Sequence, residues 1–254
     1  MFLAFNFLFK MAIHKTKGIV VGTINYGETS IITHIYTELF GMQHYLVKGV
    51  RKQTKKKSAG SLYFQPGAIL ALEVYHNTLK ALQYIKEYEF LHVFNNMYIE
   101  VKRHAIATYC AELLDNLIKE PESDPFFFEE IERLLLLLDR LPTAEVSNIP
   151  VYITLKILGK TGFSLSGKYD AANFNVLDFE KGCFSAQIPL HPFYVKGMYA
   201  KFIHDMLHSR DWTHITLNGS GRAYILHALQ DYLKIHIENY RTLKSLAVLE
   251  TVFS

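Results

Sequence analysis

The sequence predicts an α+β chain in which a small five-stranded β-barrel precedes an all-helical region with one inserted β-hairpin. Residues 17–89 contain short runs of β-branched and aromatic residues separated by glycine, proline and asparagine, which is typical of antiparallel strands. Beyond Phe90 the apolar residues recur with the period of an α-helix. The chain has 254 residues, 50% of them hydrophobic and 20% charged, which is a globular composition. We therefore expect domains at residues 11–90 and 91–254.

Five strands are predicted in the first domain. Turns are expected at residues 26–28, 40–41 and 77–78, and a long polar segment at residues 49–67 separates the third strand from the fourth. This pattern fits a small Greek-key barrel such as the OB-fold, or an SH3-like barrel, and favours neither. The predicted strands are residues 17–25, 30–37, 42–48, 69–76 and 79–89.

Helices are predicted for most of the second domain. The first should end before Pro121, and the second begins with Asp124 as its N-cap and Pro125 at its first position. Gly159 closes the third helix, and residues 173–187 alternate in polarity around Gly182 as a hairpin would. The predicted helices after the first are residues 124–140, 146–158, 192–208 and 221–239.

Basic residues are concentrated near the N-terminus. Residues 1–60 carry nine lysines and arginines against two acids, a net charge of +7, whereas the rest of the chain carries −4. Such asymmetry predicts a polyanionic partner, nucleic acid or a membrane surface. The ordinary alternatives are that the basic loop is only solvated and that the tyrosines of this domain pack inside the barrel. The candidate phosphate contacts are Lys48, Arg51, Lys52, Lys55, Lys56 and Lys57, with Lys15 and Lys17, and the candidate stacking rings are Tyr26 and Tyr45.

Other function classes have little support in the sequence. The two cysteines, Cys110 and Cys183, form no metal or redox motif, and no phosphate-binding loop or nucleophile elbow is present. His204 and His208 lie one helical turn apart, so a metal-dependent nucleic-acid hydrolase is one rival interpretation. A structural module that binds acidic protein or membrane is another. Residues 1–10 are apolar but too short to span a bilayer, and we expect a non-native or disordered extension.

Five short motifs follow one another along the chain. They are Lys15-Thr-Lys-Gly-Ile-Val-Val21, Tyr26-Gly-Glu-Thr-Ser30, Tyr36-Thr-Glu-Leu-Phe-Gly41, Lys48-Gly-Val-Arg-Lys52 and Leu243-Lys-Ser-Leu246. In this order, on a barrel-then-helices chain, the sequence resembles the RecO family of bacterial DNA repair and recombination mediators. The resemblance covers nearly the whole chain.

The resemblance implies an N-terminal OB-fold that binds single- and double-stranded DNA and a helical domain for protein contacts. It implies strand annealing without ATP or enzymatic activity, no cofactor, and a cytoplasmic, nucleoid-associated location with no membrane contact. The implied protein partners are RecR, the acidic C-terminal tail of single-stranded DNA-binding protein (SSB) and, indirectly, RecA. Lys48, Arg51 and Lys52 match the family's basic positions, and Arg241 and Lys244 are candidates for the tail.

One departure from the family concerns zinc. Many relatives have a four-cysteine zinc module where this chain reads residues 159–187, and of those cysteines this chain has only Cys183. A structural zinc site needs about four ligands, so no metal is expected here. We expect the hairpin at residues 178–184 to replace the module structurally.

Overall fold

The computed structural model describes residues 12–51 and 60–253. The predicted extension, residues 1–10, and the segment 52–59 lie outside these ranges. The chain divides into two compact units. The barrel unit comprises the residues up to Val93 together with Glu120–Phe128, and the helical unit comprises Phe94–Lys119 and the residues from Glu129 onward.

The barrel unit is a closed sheet with the strand order β1-β2-β3-β5-β4, in which β4 pairs back with β1. β3 and β5 are parallel neighbours, and the other pairs are antiparallel. This order is that of the OB-fold, so the predicted barrel is confirmed and the SH3-like alternative is not. The strands are β1 (Ile13–Tyr26), β2 (Ser30–Thr37), β3 (Gly41–Val47), β4 (Ile69–Tyr75) and β5 (Leu82–Phe90).

Inward-facing residues at every second position fill the barrel. Val20, Ile35, Leu70 and Val74 are completely buried in one cluster with Tyr45. Because side chains alternate across a strand, their neighbours in sequence must point outward. A short 3₁₀ helix at Gly60–Phe64, which was not predicted, contributes Phe64 to the same core.

The segment Glu120–Phe128 packs against the barrel although the sequence placed it among the helices. The Met42 N–H donates to the Glu120 carbonyl at 3.2 Å, and the Ser123 hydroxyl donates to the Glu38 carbonyl at 2.8 Å. Gly41 has a φ of 60°, and a Cβ there would collide with the backbone of Glu122. Only glycine therefore permits this close approach without strain.

The helical unit contains most of the predicted helices and a three-stranded sheet in the order β7-β6-β8. Asp124 caps α2 as predicted, because its Oδ1 accepts the Phe127 N–H at 3.0 Å. No described helix is both long and apolar enough to cross a membrane. The elements are α1 (Val101–Leu117), α2 (Pro125–Arg140), α3 (Thr143–Val146), α4 (Ile149–Lys160), β6 (Val176–Asp178), β7 (Cys183–Ser185), β8 (Tyr194–Lys196), α5 (Met198–His208), α6 (Gly219–His236) and α7 (Ser245–Phe253).

This unit differs from the prediction in one helix boundary and one additional helix. The helix predicted at residues 192–208 begins only at Met198, because Gly197 takes a φ of 59° and ends a strand, β8, that pairs with β6. The terminal helix α7 was not predicted, and it packs against α1. The predicted hairpin exists as β6 and β7, with Asp178 opposite Cys183, but β8 extends it to three strands.

Two buried polar clusters of the helical unit have defined partners. The Tyr109 and Thr154 hydroxyls, on α1 and α4, lie 2.8 Å apart. The Asp139 carboxylate accepts three successive backbone N–H groups from residues 95–97 at 2.7–3.1 Å. Burial raises the pKa of Asp139, but these hydrogen bonds and the nearby Arg103 outweigh it and lower that pKa.

Candidate nucleic-acid interface

The strand register places outward-facing apolar and aromatic residues in a row across four strands. Ile24 lies opposite Ile32, Ile32 opposite Leu46, and Leu46 opposite Tyr84. A parallel row one pleat away contains His34 and His44. We call the surface formed by these residues with Tyr26 and Lys48 the β2–β3 face. Its members are Ile24, Tyr26, Ile32, His34, His44, Leu46, Lys48 and Tyr84, and none is acidic.

Aromatic groups on the β2–β3 face are open to solvent. Tyr26 is 53% exposed, and Tyr84 and Ile24 are also exposed. The His34 and His44 rings contact edge to face with centroids 4.1 Å apart. Flat, exposed rings in neighbouring rows offer a surface on which successive bases can stack.

Basic side chains border this face at the end of β3. Lys48 is exposed, and its Nζ lies 6.0 Å from the centroid of the Tyr84 ring. Arg51 donates from Nη1 to the Gly27 carbonyl at 3.2 Å, and its N–H donates to the Thr29 carbonyl at 3.1 Å. These bonds tie the start of the basic loop to the β1–β2 turn. That turn contains one acid, Glu28. Lys52, Lys55, Lys56 and Lys57 lie outside the described residues.

Tyr45 is a correction to the predicted site. It points into the barrel and is 0% exposed, so no base can stack on its ring. Burial raises the pKa of its hydroxyl, which has no hydrogen-bond partner among the described residues. The strand alternation that exposes His44 and Leu46 necessarily turns Tyr45 inward. Tyr26 stays a candidate.

Lys15 and Lys17 lie on a different surface, where acids surround them. Lys15 pairs with Glu73 at 3.2 Å, and Lys17 pairs with Glu38 at 3.7 Å. Hydrogen bonds from Lys86 and Lys15 lower the pKa of Glu73. We call this surface the β1–β4 face; its charged members Lys15, Lys17, Glu38, Glu73, Glu87 and Glu89 line a cavity of about 410 Å³.

Comparison with known proteins identifies the family. The model for "Recombination protein O N terminal" matches residues 11–94, and the model for "Recombination protein O C terminal" matches residues 100–247. This chain belongs to the RecO family. The name DNA repair protein RecO is carried by relatives from Christiangramia forsetii, 30% identical over 96% of this chain and 100% of the relative, and from Flavobacterium psychrophilum, 30% identical over 94% and 99%. The relative from Azobacteroides pseudotrichonymphae is 27% identical over 95% and 99%.

The residues predicted to receive an acidic peptide in this RecO-family chain are themselves beside acids. Arg241 pairs with Asp115 at 3.3 Å, and its backbone N–H donates to Asn116. The Lys244 N–H donates to the Glu112 carboxylate at 3.0 Å. An incoming carboxylate at this position would have to compete with Asp115 and Glu112.

A cavity between α6 and α7 was missed by the sequence reasoning. It has a volume of about 500 Å³, and its lining includes Pro150, Leu226, Leu249 and Phe253. Among the described residues that line it, Arg222 is the basic one and Glu250, which pairs with His227, is the acidic one. The Arg222 guanidinium donates to the Leu217 carbonyl and lies 6.0 Å from the Phe253 ring. The cavity escaped prediction because α7, which supplies one wall, was not predicted.

The residues considered for metal chemistry have other partners. The His204 and His208 rings stack with centroids 4.3 Å apart, and His208 Nδ1 lies 2.8 Å from the His204 carbonyl oxygen. Within the described ranges, no group of three or more His, Cys, Asp or Glu side chains could hold a metal ion. Cys110 is buried, and its pKa is raised by burial to about 12.

The small sheet occupies the region where the family's zinc module was expected to be replaced. Buried Asp178 accepts the Glu180 and Lys181 N–H groups at 2.9 and 3.1 Å, and His191 Nε2 lies 3.2 Å from the same carboxylate. His191 Nδ1 in turn accepts the Phe193 N–H at 3.2 Å. These bonds join the hairpin to the segment before β8.

Proposed function

We propose that this chain is an ATP-independent, non-enzymatic mediator of DNA repair and recombination that binds single- and double-stranded DNA on the β2–β3 face. It anneals complementary strands in the cytoplasm and, with RecR, helps load RecA onto SSB-coated DNA. One observation carries the proposal. The β2–β3 face carries the exposed rings of Tyr26 and Tyr84 together with Lys48, is bordered by Arg51, and has no carboxylate among its members.

The chemistry of this face suits a flexible polyanion. Bases stack on Tyr26 and Tyr84, while Lys48 and Arg51 neutralise phosphates and release counterions. Annealing requires two anionic strands to approach each other, and basic side chains that neutralise both lower their mutual repulsion. No bond is broken in this process, so neither a nucleophile nor a metal is required.

The test of the proposal is a salt titration of DNA affinity. Replacing Lys48, Arg51, Lys52, Lys55, Lys56 and Lys57 with Gln should weaken binding and flatten the dependence of log Kobs on log salt. Each lost phosphate contact should reduce the slope by about 0.7 for single strands. Unchanged affinity and slope would refute the assignment.

Annealing in EDTA separates the mediator from a hydrolase. The mediator should anneal complementary oligonucleotides at an undiminished rate when EDTA removes divalent ions. Strand cleavage that requires a divalent ion and is lost in His204→Ala and His208→Ala would instead support the hydrolase.

The cavity between α6 and α7 is the better candidate for the SSB tail. A peptide that is acidic, apolar and ends in a carboxylate matches a largely apolar cavity that contains Arg222 at the first turn of α6. Glu250 also lines this cavity, but it pairs with His227 rather than with Arg222. We expect Arg222→Gln to weaken binding of an SSB-tail peptide by about tenfold, the scale of a charge-assisted hydrogen bond. The matched Arg241→Gln variant should bind it normally, and the opposite ranking would favour the site predicted from sequence.

A further inference from the structure

Three tyrosines from three elements of the helical unit line one pocket. Tyr194 lies on β8, Tyr199 on α5 and Tyr224 on α6. The pocket has a volume of about 600 Å³, and the Tyr199 and Tyr224 ring centroids are 4.7 Å apart with planes inclined at 45°. We call it the tyrosine pocket. Its remaining lining residues are Asn175, Pro192, Lys196, Gly197 and Met198.

The turn from β8 into α5 creates this pocket. Gly197 has a φ of 59°, a conformation that favours glycine, and its N–H donates to the Asn175 carbonyl at 2.9 Å. The chain therefore passes at Gly197 from β8, which carries Tyr194, into α5, which carries Tyr199. A Cβ built at Gly197 meets no atom within 4 Å, so the space beside this residue is open.

The tyrosine pocket is exposed rather than part of the core. Tyr224 is 46% exposed, and Met198 and Lys196 are exposed as well. Among the described residues that line it, Lys196 is the one charged group and none is acidic. Burial raises the pKa of the Tyr224 hydroxyl, as do Tyr199 and Tyr194, so this hydroxyl stays protonated and can donate near neutral pH.

These groups together match the chemistry of an unpaired nucleotide. Aromatic rings stack on any base, hydroxyl and amide groups can bond to its edge, and a lysine at the rim attracts a phosphate. An acidic peptide would find only one cation among the described lining residues, so its other carboxylates would lack a charged partner. A purely apolar segment would bury three phenol hydroxyls and the Asn175 amide, which costs free energy unless these groups are bonded.

We propose that the tyrosine pocket binds unpaired bases of single-stranded DNA, with the exposed Tyr224 ring stacking on a base, Tyr199 packed against that ring and Lys196 contacting the phosphate. This inference rests on the proposed function and adds a base-binding site on the helical unit to the one on the barrel. Because a base in a duplex is already stacked and paired, the pocket discriminates in favour of single strands.

Photo-cross-linking of the full chain tests this directly. An oligo(dT) strand that contains 5-iodo-deoxyuridine is irradiated with the protein, and the modified peptides are mapped by mass spectrometry. We expect adducts at Tyr199 or Tyr224, in addition to adducts on the barrel. Adducts confined to the barrel would overturn the proposal.

Affinity measurements on variants complete the test. Tyr199→Leu with Tyr224→Leu should lower oligo(dT) affinity by about tenfold, the scale of one or two lost stacking contacts, and leave duplex affinity unchanged. Phenylalanine at both positions keeps the rings and should keep most of the affinity. If the leucine variant does not fold, the wild-type cross-link map and the phenylalanine variant decide the question.

The outcomes distinguish this inference from the proposed function. If Lys48→Gln with Arg51→Gln weakens binding but the leucine variant binds oligo(dT) normally, the inference fails, the barrel assignment stands and the pocket is left to a protein partner. If the barrel variant binds DNA normally while cross-links form at Tyr224, the barrel assignment fails and this inference stands.

Discussion

The barrel has two outer faces that carry lysines in different surroundings. On the β1–β4 face, Lys15 and Lys17 lie among Glu38, Glu73, Glu87 and Glu89, and both are ion-paired. On the β2–β3 face, Lys48 lies above an aromatic ring. Each of these lysines contributes equally to the net charge of +7 of residues 1–60. Only Lys48, however, adds to a local positive potential, because the charges of Lys15 and Lys17 are offset by the acids beside them.

A count of charges along the sequence therefore overestimates the number of lysines that are available to bind a polyanion. A lysine that is already paired releases its partner when it contacts a phosphate, so its net contribution is small. The neighbours of a lysine across the sheet, rather than its position in the chain, decide whether it is available.

The aromatic rings of the β2–β3 face should give the largest effect. Tyr26→Ala with Tyr84→Ala should lower single-strand affinity by about tenfold or more, because one base–aromatic stack contributes about 1–3 kcal/mol. Fluorescence anisotropy with oligo(dT) measures this. The matched variant with phenylalanine at both positions should bind nearly as well as the wild type, and equal losses in the two variants would argue against stacking.

A charge-matched comparison of the two faces should give the next largest effect. Lys48→Gln with Arg51→Gln removes two charges from one face, and Lys15→Gln with Lys17→Gln removes two from the other. The first pair should reduce the salt slope of single-strand binding by about 1.4, whereas the second should leave it near the wild-type value. Equal slopes for the two variants would abolish the distinction between the faces.

Tyr45→Phe tests the inward assignment of that ring. The variant removes a hydroxyl that is buried without a partner among the described residues, so the free energy of unfolding should rise by about 1 kcal/mol. Denaturant unfolding measures the change, and DNA affinity should not alter. Weaker DNA binding with unchanged stability would show that Tyr45 contributes to the interface after all.

Glu73→Gln tests the pairing on the β1–β4 face and should have the smallest effect. The lysines lower the pKa of Glu73, so its ionised form stabilises the fold above the ordinary glutamate pKa of about 4.3. That contribution is lost as pH falls through the lowered pKa of the folded state. Unfolding measured across this range should show the wild type and variant converging in acid; a constant difference would contradict the pairing.

Much of the barrel could be predicted because its signals are local. β2 was predicted at residues 30–37, as observed, since alternation and flanking turns define an antiparallel strand. The pattern did not distinguish an OB-fold from an SH3-like barrel, and the choice of the OB-fold came from the family resemblance. The return of Glu120–Phe128 to the barrel depends on contacts between residues distant in sequence, such as Met42 with Glu120, which periodicity does not encode.

The candidate site was predicted in part for the same reason. Lys48, Arg51 and Tyr26 could be selected from charge and turn position, and the structure places them at one end of the β2–β3 face. The row of Ile24, Ile32 and Leu46 could not, because it exists only through strand register. Likewise, the tyrosine pocket depends on a strand, β8, in a segment whose apolar spacing predicted a helix.

Lysine footprinting tests whether DNA binds on the β2–β3 face rather than on the β1–β4 face. The protein is acylated briefly with an N-hydroxysuccinimide ester, with and without saturating single-stranded DNA, and modification of each lysine is measured by mass spectrometry. DNA bound on the β2–β3 face should protect Lys48, while Lys15, whose side chain is 84% exposed, stays reactive. Protection of Lys15 with unchanged reactivity of Lys48 would place DNA on the β1–β4 face and refute binding on the β2–β3 face.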